Sequence, residues 1–213
     1  MNFKPIIIVA GEPNSVFFEI FTKSVLKNKF KSPIILIGSK KLLNLQIKSF
    51  EKKIFLNTLD LKKIKKNSVF KKKINIIDVE YNQYKAFDKI SSKSNKYVEE
   101  CFNIGLNLIK DKLSNKFING PISKKTFLNK DYLGVTEYIS QKFNIKKNAM
   151  LIFNNKISVC PATTHLPIKF VAKNINKNLI KEKVLLINDF YKNFFNLKPK
   201  IAVLGLNPHC ESI

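Results

Sequence analysis

Apolar residues in this chain come first as an unbroken run and then at helical intervals, and the alternation repeats. Ile6 to Ala10 is continuously apolar. A run with no polar alternation is expected of a strand covered on both faces, as in a parallel sheet. Gly11-Glu12-Pro13-Asn14-Ser15 interrupts it. From Ser15 onward Val16, Phe17, Ile20, Phe21, Val25 and Leu26 recur at helical spacing. Ser32-Pro33 closes that unit. Ile34 to Ile37 is a second buried strand, stopped by Gly38-Ser39, and Ser39 is placed to cap a helix through Leu43 and Ile47. Strand, helix, strand, helix with short turns predicts an α/β fold assembled from right-handed βαβ units.

The next region is less regular. Ile54-Phe55-Leu56 is expected as an edge strand, and Ile74 to Val79 as a further strand. Ser91 to Asn95 offers several caps for a long helix with the stripe Tyr97, Val98, Cys101, Phe102, Leu106, Ile109 and Leu113. Phe117-Ile118 is a short strand. Gly120-Pro121 continues neither a strand nor a helix, so a second section opens there, with Ser123 as a cap. Thr136 is the expected cap of the next helix. Met150 to Phe153 and Lys156 to Cys160, around Asn154-Asn155, are expected to form a β-hairpin, because Asn tolerates positive φ. Pro167 suits a helix first turn, Ile180 to Phe195 is a strongly apolar helix, and Ile201 to Leu204 is the last expected strand. The chain is thus read in two sections, residues 1–119 and 120–213.

Composition narrows the function classes. The 213 residues, 45% of them hydrophobic, are enough for a real core. No window approaches the roughly 20 uncharged apolar residues of a membrane span, and Met1 to Pro13 is too short and too soon broken for a signal peptide. No membrane partner is therefore expected, and a cytoplasmic location is. The three cysteines, Cys101, Cys160 and Cys210, are widely spaced and odd in number, which argues against a disulfide framework. The net charge of +24 would ordinarily suggest nucleic acid. Every basic residue is lysine, however, and arginine, the usual reader of guanine edges and fork for phosphate, is absent. No nucleic-acid partner is expected. The lysines at 62, 63, 65, 66, 71, 72 and 73 read as a solvated edge, and an anionic small substrate stays compatible with the charge.

The candidate chemistry gathers around the two histidines, His165 in Pro161-Ala162-Thr163-Thr164-His165-Leu166-Pro167 and His209 in Gly205-Leu206-Asn207-Pro208-His209. Each follows an apolar run, and strand ends are where α/β proteins place their chemistry. Two such imidazoles can meet to hold a divalent metal, or can be ordinary surface or capping side chains. Gly11-Glu12-Pro13 could present N–H groups to a phosphate, but it lacks the later glycines of a dinucleotide loop and also reads as a plain βα turn. Lys124 could pair with an anionic substrate. Thr136 with Glu137 is most simply a helix cap.

Together these stretches resemble one family, the 4-hydroxythreonine-4-phosphate dehydrogenases of pyridoxal phosphate synthesis. Gly11-Glu12-Pro13 resembles its opening G-E/D-P loop. Gly120-Pro121-Ile122-Ser123-Lys124 and Gly134-Val135-Thr136-Glu137 resemble its G-P-x-x-K and G-H-T-E segments. Thr163 to Pro167 and Gly205 to His209 match its T-T-H-L-P and G-L-N-P-H motifs in full. The resemblance implies a fold similar to the isocitrate and isopropylmalate dehydrogenases, with two α/β domains around a cleft, and a homodimer. It implies NAD as cofactor, a divalent metal (zinc, magnesium or cobalt) with His165 and His209 as ligands, and a phosphorylated small-molecule substrate met by Thr136 and Lys124. The implied reaction oxidises and decarboxylates 4-phosphooxy-L-threonine to 3-amino-2-oxopropyl phosphate on the route to pyridoxine 5'-phosphate.

The sequence also departs from that pattern. Val135 stands where the family carries a histidine, and valine neither titrates nor donates a hydrogen bond. Family members are longer, so the resemblance implies a third ligand histidine and closing strands beyond residue 213. Two alternatives follow: a related dehydrogenase for another metal-chelating hydroxy acid, or an inactive truncated product.

Overall fold

The computed structural model describes residues 3–49, 54–64, 73–128, 131–132 and 134–206. The chain separates into two compact units, Met1–Asp131 and Tyr132–Ile213.

The first unit is a five-stranded, wholly parallel sheet. Its strands are β1 (Ile6–Val9), β2 (Ile34–Gly38), β3 (Leu56–Thr58), β4 (Ile74–Asp78) and β5 (Phe117–Asn119), in the order β3-β4-β2-β1-β5. Register pairs Ile8 with Leu36 and Ile118, and Leu36 with Ile76. The unbroken apolar runs of β1, β2 and β4 are explained by helices on both faces. On one side lie α1 (Phe17–Lys27) and α2 (Lys40–Ser49), where Phe17, Phe18, Phe21, Leu42, Leu43 and Ile47 close over Ile8, Leu36 and Ile76. On the other lies α3 (Asn95–Lys110). Gly105 lets α3 come down on the sheet, since a β-carbon there would stand 2.8 Å from Phe117 Cε2 and 2.9 Å from Val9 Cγ2. Consecutive strand residues thus serve opposite layers, the period of two expected of a strand. Asn75, polar and buried within β4, is satisfied: its Nδ2 donates to Ile34 O (2.9 Å), and its Oδ1 accepts from Asn57 Nδ2 (3.0 Å).

Ser39 caps α2 as expected, its Oγ accepting from Leu42 N at 3.2 Å. The predicted edge strand begins two residues late, at Leu56, and does occupy the sheet edge. Lys62, Lys63 and Lys73 are exposed, and the other lysines of that cluster lie outside the described residues.

The second unit contains α4 (Val135–Lys142), α5 (Ile168–Asn174) and α6 (Lys177–Phe195). Asn176 caps α6 through Leu179 N, and Asn196 ends it in a left-handed conformation (φ 53°). Three expectations are corrected here. The hairpin of Met150–Phe153 with Lys156–Cys160 reduces to one antiparallel bridge, Ile152 with Val159. Side chains replace the ladder between them: Asn154 Oδ1 accepts from Lys156 N, and Ser158 Oγ accepts from Asn154 N. Ile201 to Leu204 form no strand, having no paired neighbour among the described residues, and Leu204 is 88% exposed. Thr136 is not the cap of α4: Gly134 is, in extended backbone, and Thr136 falls inside the first turn.

Candidate functional site

The sheet order reverses at β1. Strand β2 lies on one side of β1 and β5 on the other, so the loops leaving β1 and β5 are neighbours at the carboxyl edge, where open α/β sheets bind ligands. Here the two loops touch. Gly11 has φ +74°, and a β-carbon on it would meet Pro121 O at 2.3 Å; one on Gly120 would meet Ala10 O at 2.1 Å. Only glycine supplies that backbone and that clearance.

The Gly11–Ser15 turn is closed on itself. Glu12 N donates to Pro121 O (2.8 Å), Asn14 N to Glu12 Oε1 (3.3 Å), Ser15 N to Glu12 O (3.2 Å) and Phe17 N to Ser15 Oγ (3.3 Å). These four amides are engaged within the protein, as in a structural βα connection. Glu12 does not face a cleft. It is 3% exposed, and its Oε2 accepts from Ser94 Oγ at 2.7 Å, tying β1 to the start of α3. Asn14 Oδ1 accepts from Gln83 Nε2 and Asp88 N, both at 2.9 Å, and Gln46 Nε2 bonds Pro13 O (2.9 Å) and Ala86 O (2.7 Å). The 80–88 loop is thereby strapped to the first turn. Beside it opens a cavity of about 720 Å³ lined by Tyr81, Tyr84, Lys85, Lys93, Lys96 and Glu100 among others.

Two groups under the sheet are held neutral. Burial pushes the Cys101 thiol up to about 12, and burial first, then the neighbouring Cys101, raises the Tyr97 phenol well above its ordinary range. The Tyr97 oxygen accepts from Ser39 N at 2.9 Å, so this pair locks α3 to the β2–α2 turn. Both serve the packing.

Lys124 is exposed in the turn that follows β5. In the second unit Thr136 is exposed in the first turn of α4, and His165 is exposed in the irregular segment before α5. His165 has φ +58°, a conformation uncommon for a non-glycine residue and favoured where surroundings dictate it. Gly134 connects these two places. A β-carbon on Gly134 would lie 3.0 Å from Glu137 Oε2 and 3.7 Å from His165 Nε2. Its φ of −167° is ordinary extended backbone, so what the missing side chain leaves here is room near both groups. Glu137 Oε2 is buried with no hydrogen-bond partner.

These groups suit a divalent cation, since nitrogen and carboxylate oxygen are its usual donors and an unpartnered buried carboxylate oxygen calls for a positive charge. Among the described residues no group of three or more His, Cys, Asp or Glu gathers at one point, and His209 and Cys210 lie outside those residues. The structure therefore brings His165 to the Gly134–Glu137 turn. Sequence reasoning assigned Glu137 to a cap; its position three residues after Gly134 was legible, its inward orientation was not.

Comparison with known proteins places the chain as a whole. The sequence pattern of the pyridoxal phosphate biosynthetic protein PdxA matches residues 29–212. A 4-hydroxythreonine-4-phosphate dehydrogenase of Sulfurihydrogenibium sp. is 35% identical, over 96% of this chain and 63% of its own length. Among solved structures, the 4-hydroxythreonine-4-phosphate dehydrogenase of Klebsiella pneumoniae superposes with a TM-score of 0.82 at 19% identity, over 98% of this chain and 65% of that one. A terephthalate 1,2-cis-dihydrodiol dehydrogenase from Burkholderia xenovorans superposes with a TM-score of 0.63 at 15% identity, over 97% and 62%. The chain thus spans a little under two thirds of the relatives it matches. Its parallel sheet agrees with the α/β dehydrogenase fold expected from the motifs, and with the sequence match over most of its length the chain belongs to the PdxA family of pyridoxal phosphate biosynthetic proteins.

Proposed function

We propose that the protein takes part in the NAD-dependent, metal-dependent oxidation and decarboxylation of 4-phosphooxy-L-threonine to 3-amino-2-oxopropyl phosphate, in pyridoxine 5'-phosphate synthesis. The observation that carries this reading is the His165–Gly134–Glu137 arrangement inside the stretch that matches the family. His165, with His209, would hold the divalent metal. Bound there, the ion would supply Lewis-acid polarisation of the substrate hydroxyl and of the β-keto acid derived from it. NAD, when bound, would supply the hydride acceptor for oxidation at the hydroxyl-bearing carbon, with the hydroxyl proton released to solvent; loss of CO₂ from the resulting β-keto acid would leave an enolate that takes up a proton to give the ketone. Thr136, exposed at the start of α4, has a hydroxyl to offer the substrate, and Lys124 has a cation to offer its phosphate. A homodimer and a cytoplasmic location belong to the same proposal. Among the described residues no helix is long and apolar enough to cross a membrane.

The test is the complete gene product incubated with 4-phosphooxy-L-threonine, NAD and Zn²⁺, Mg²⁺ or Co²⁺. NADH should appear, and His165→Ala should abolish it.

Val135 favours a second reading, a dehydrogenase for a different metal-chelating hydroxy acid. It puts an apolar side chain between Gly134 and Thr136, where no proton can be exchanged with substrate. The superposition with a diol dehydrogenase fits a fold that hosts more than one substrate. A panel of hydroxy acids and diols, with NADH as the readout, separates the two.

A further inference from the structure

We infer that Asn95 is a positioning residue for Lys124, holding the turn that carries the cation offered to the substrate phosphate. The inference rests on the reading of Lys124 given above. An asparagine at a helix start has an ordinary role, in which its side-chain oxygen accepts from a nearby backbone amide. Asn95 opens α3 without filling it: its Oδ1 is buried and has no hydrogen-bond partner among the described residues. The amide group is turned to a distant segment instead. Its Nδ2 donates to Thr126 O at 2.8 Å, across 31 residues of chain. A carbonyl oxygen only accepts, which fixes which way that amide points.

Thr126 belongs to the turn that follows β5, and the turn is fixed on both sides of Lys124. At its start Glu12 N donates to Pro121 O (2.8 Å). Within it Ser123 accepts twice, its O from Phe127 N (2.9 Å) and its Oγ from Thr126 N (3.2 Å), so Lys124 lies inside a closed loop of backbone. At its end the Phe127 ring stacks on Phe102 of α3 with centroids 5.9 Å apart, and Leu128 is 1% exposed. Lys124 itself is exposed. A long lysine side chain loses rotamer freedom when it meets an anion, and a backbone already held beneath it adds no further ordering cost. The bond from Asn95 supplies that hold from α3, two residues after Lys124.

The test is steady-state kinetics of the complete gene product with 4-phosphooxy-L-threonine, NAD and a divalent metal, in a double-mutant cycle of Asn95 and Lys124, each variant assayed well below its own melting temperature. Asn95→Asp keeps the size of the side chain, replaces the donor by an acceptor, and adds a charge that suits the start of α3. Asn95→Ala removes the donor without adding charge. Both should raise KM about fivefold or more with kcat within about twofold, the pattern of lost binding with the chemistry intact. Lys124→Ala should itself raise KM about tenfold or more, and in that background either Asn95 substitution should change KM by less than about twofold, because Asn95 acts through Lys124. If the Asn95 substitutions leave KM unchanged, lower kcat instead, or raise KM as much without Lys124 as with it, the role of Asn95 is overturned and the reading of Lys124 stands. If Lys124→Ala leaves KM unchanged, or the unsubstituted protein forms no NADH, both are overturned.

Discussion

Gly11 and Gly120 meet where the chain leaves β1 and β5. A β-carbon on Gly11 would stand 3.0 Å from Gly120 C and 2.3 Å from Pro121 O, and one on Gly120 would stand 2.8 Å from Ala10 C. The neighbours are backbone atoms, which have no rotamer to swing aside. Gly120→Ala should therefore lower stability by about 1–3 kcal/mol, the usual cost of overfilling a packed site. Urea unfolding followed by circular dichroism measures it. Gly11→Ala should cost at least as much, because it adds left-handed strain to the clash.

Ser94 and Glu12 form a second joint between β1 and α3. Ser94→Ala removes the hydroxyl that donates to Glu12 Oε2 and strands a buried carboxylate oxygen. The expected loss is about 1–3 kcal/mol, read by the same unfolding experiment. Glu12→Gln should lose less, since the amide oxygen still accepts from Ser94.

Alkaline pH should weaken the first unit in a defined window. The folded-state value of Cys101 is raised by burial from an ordinary 9.0 to about 12, and that of Tyr97 is raised well above 10.0. Above an ordinary thiol value the unfolded chain loses a proton that the folded chain keeps. The stabilising contribution is thus complete below about pH 9 and is lost as pH rises toward about 12. While Cys101 alone is in that condition, stability should fall by about 1.4 kcal/mol per pH unit, and Cys101→Ala should flatten the slope. In the same protein at pH 8, Cys101 should resist a thiol reagent that modifies the half-buried Cys160.

Asn196 ends α6 with φ 53°. Asn196→Gly should keep or raise the melting temperature, whereas Asn196→Ala should lower stability by about 1 kcal/mol.

The parts of the fold that were legible have local causes. Ile6–Val9 and Ile34–Gly38 read as buried parallel strands because both faces of each are covered, leaving no polar alternation. The stripe from Tyr97 to Leu106 read as a helix because α3 has a single broad apolar face. Failures arose where the outcome depends on partners distant in sequence. Ile201 to Leu204 carries a strand pattern, but a strand exists only beside another strand. Met150 to Cys160 carries a hairpin pattern, and the side chains of Asn154 and Ser158 compete for the backbone that a ladder would use. At the candidate site, His165 and Thr136 were visible as residue types in a motif. The turning of Glu137 Oε2 toward Gly134, and the left-handed backbone of His165, depend on packing that spacing along the chain does not encode.

The most direct measurement is NADH formation by the complete gene product supplied with 4-phosphooxy-L-threonine, NAD and a divalent metal, with and without a chelator. The expected result is NADH together with release of CO₂, both lost on chelation and both lost in His165→Ala. NADH formation that survives chelation and His165→Ala, or none from this substrate with any of Zn²⁺, Mg²⁺ and Co²⁺, would contradict it.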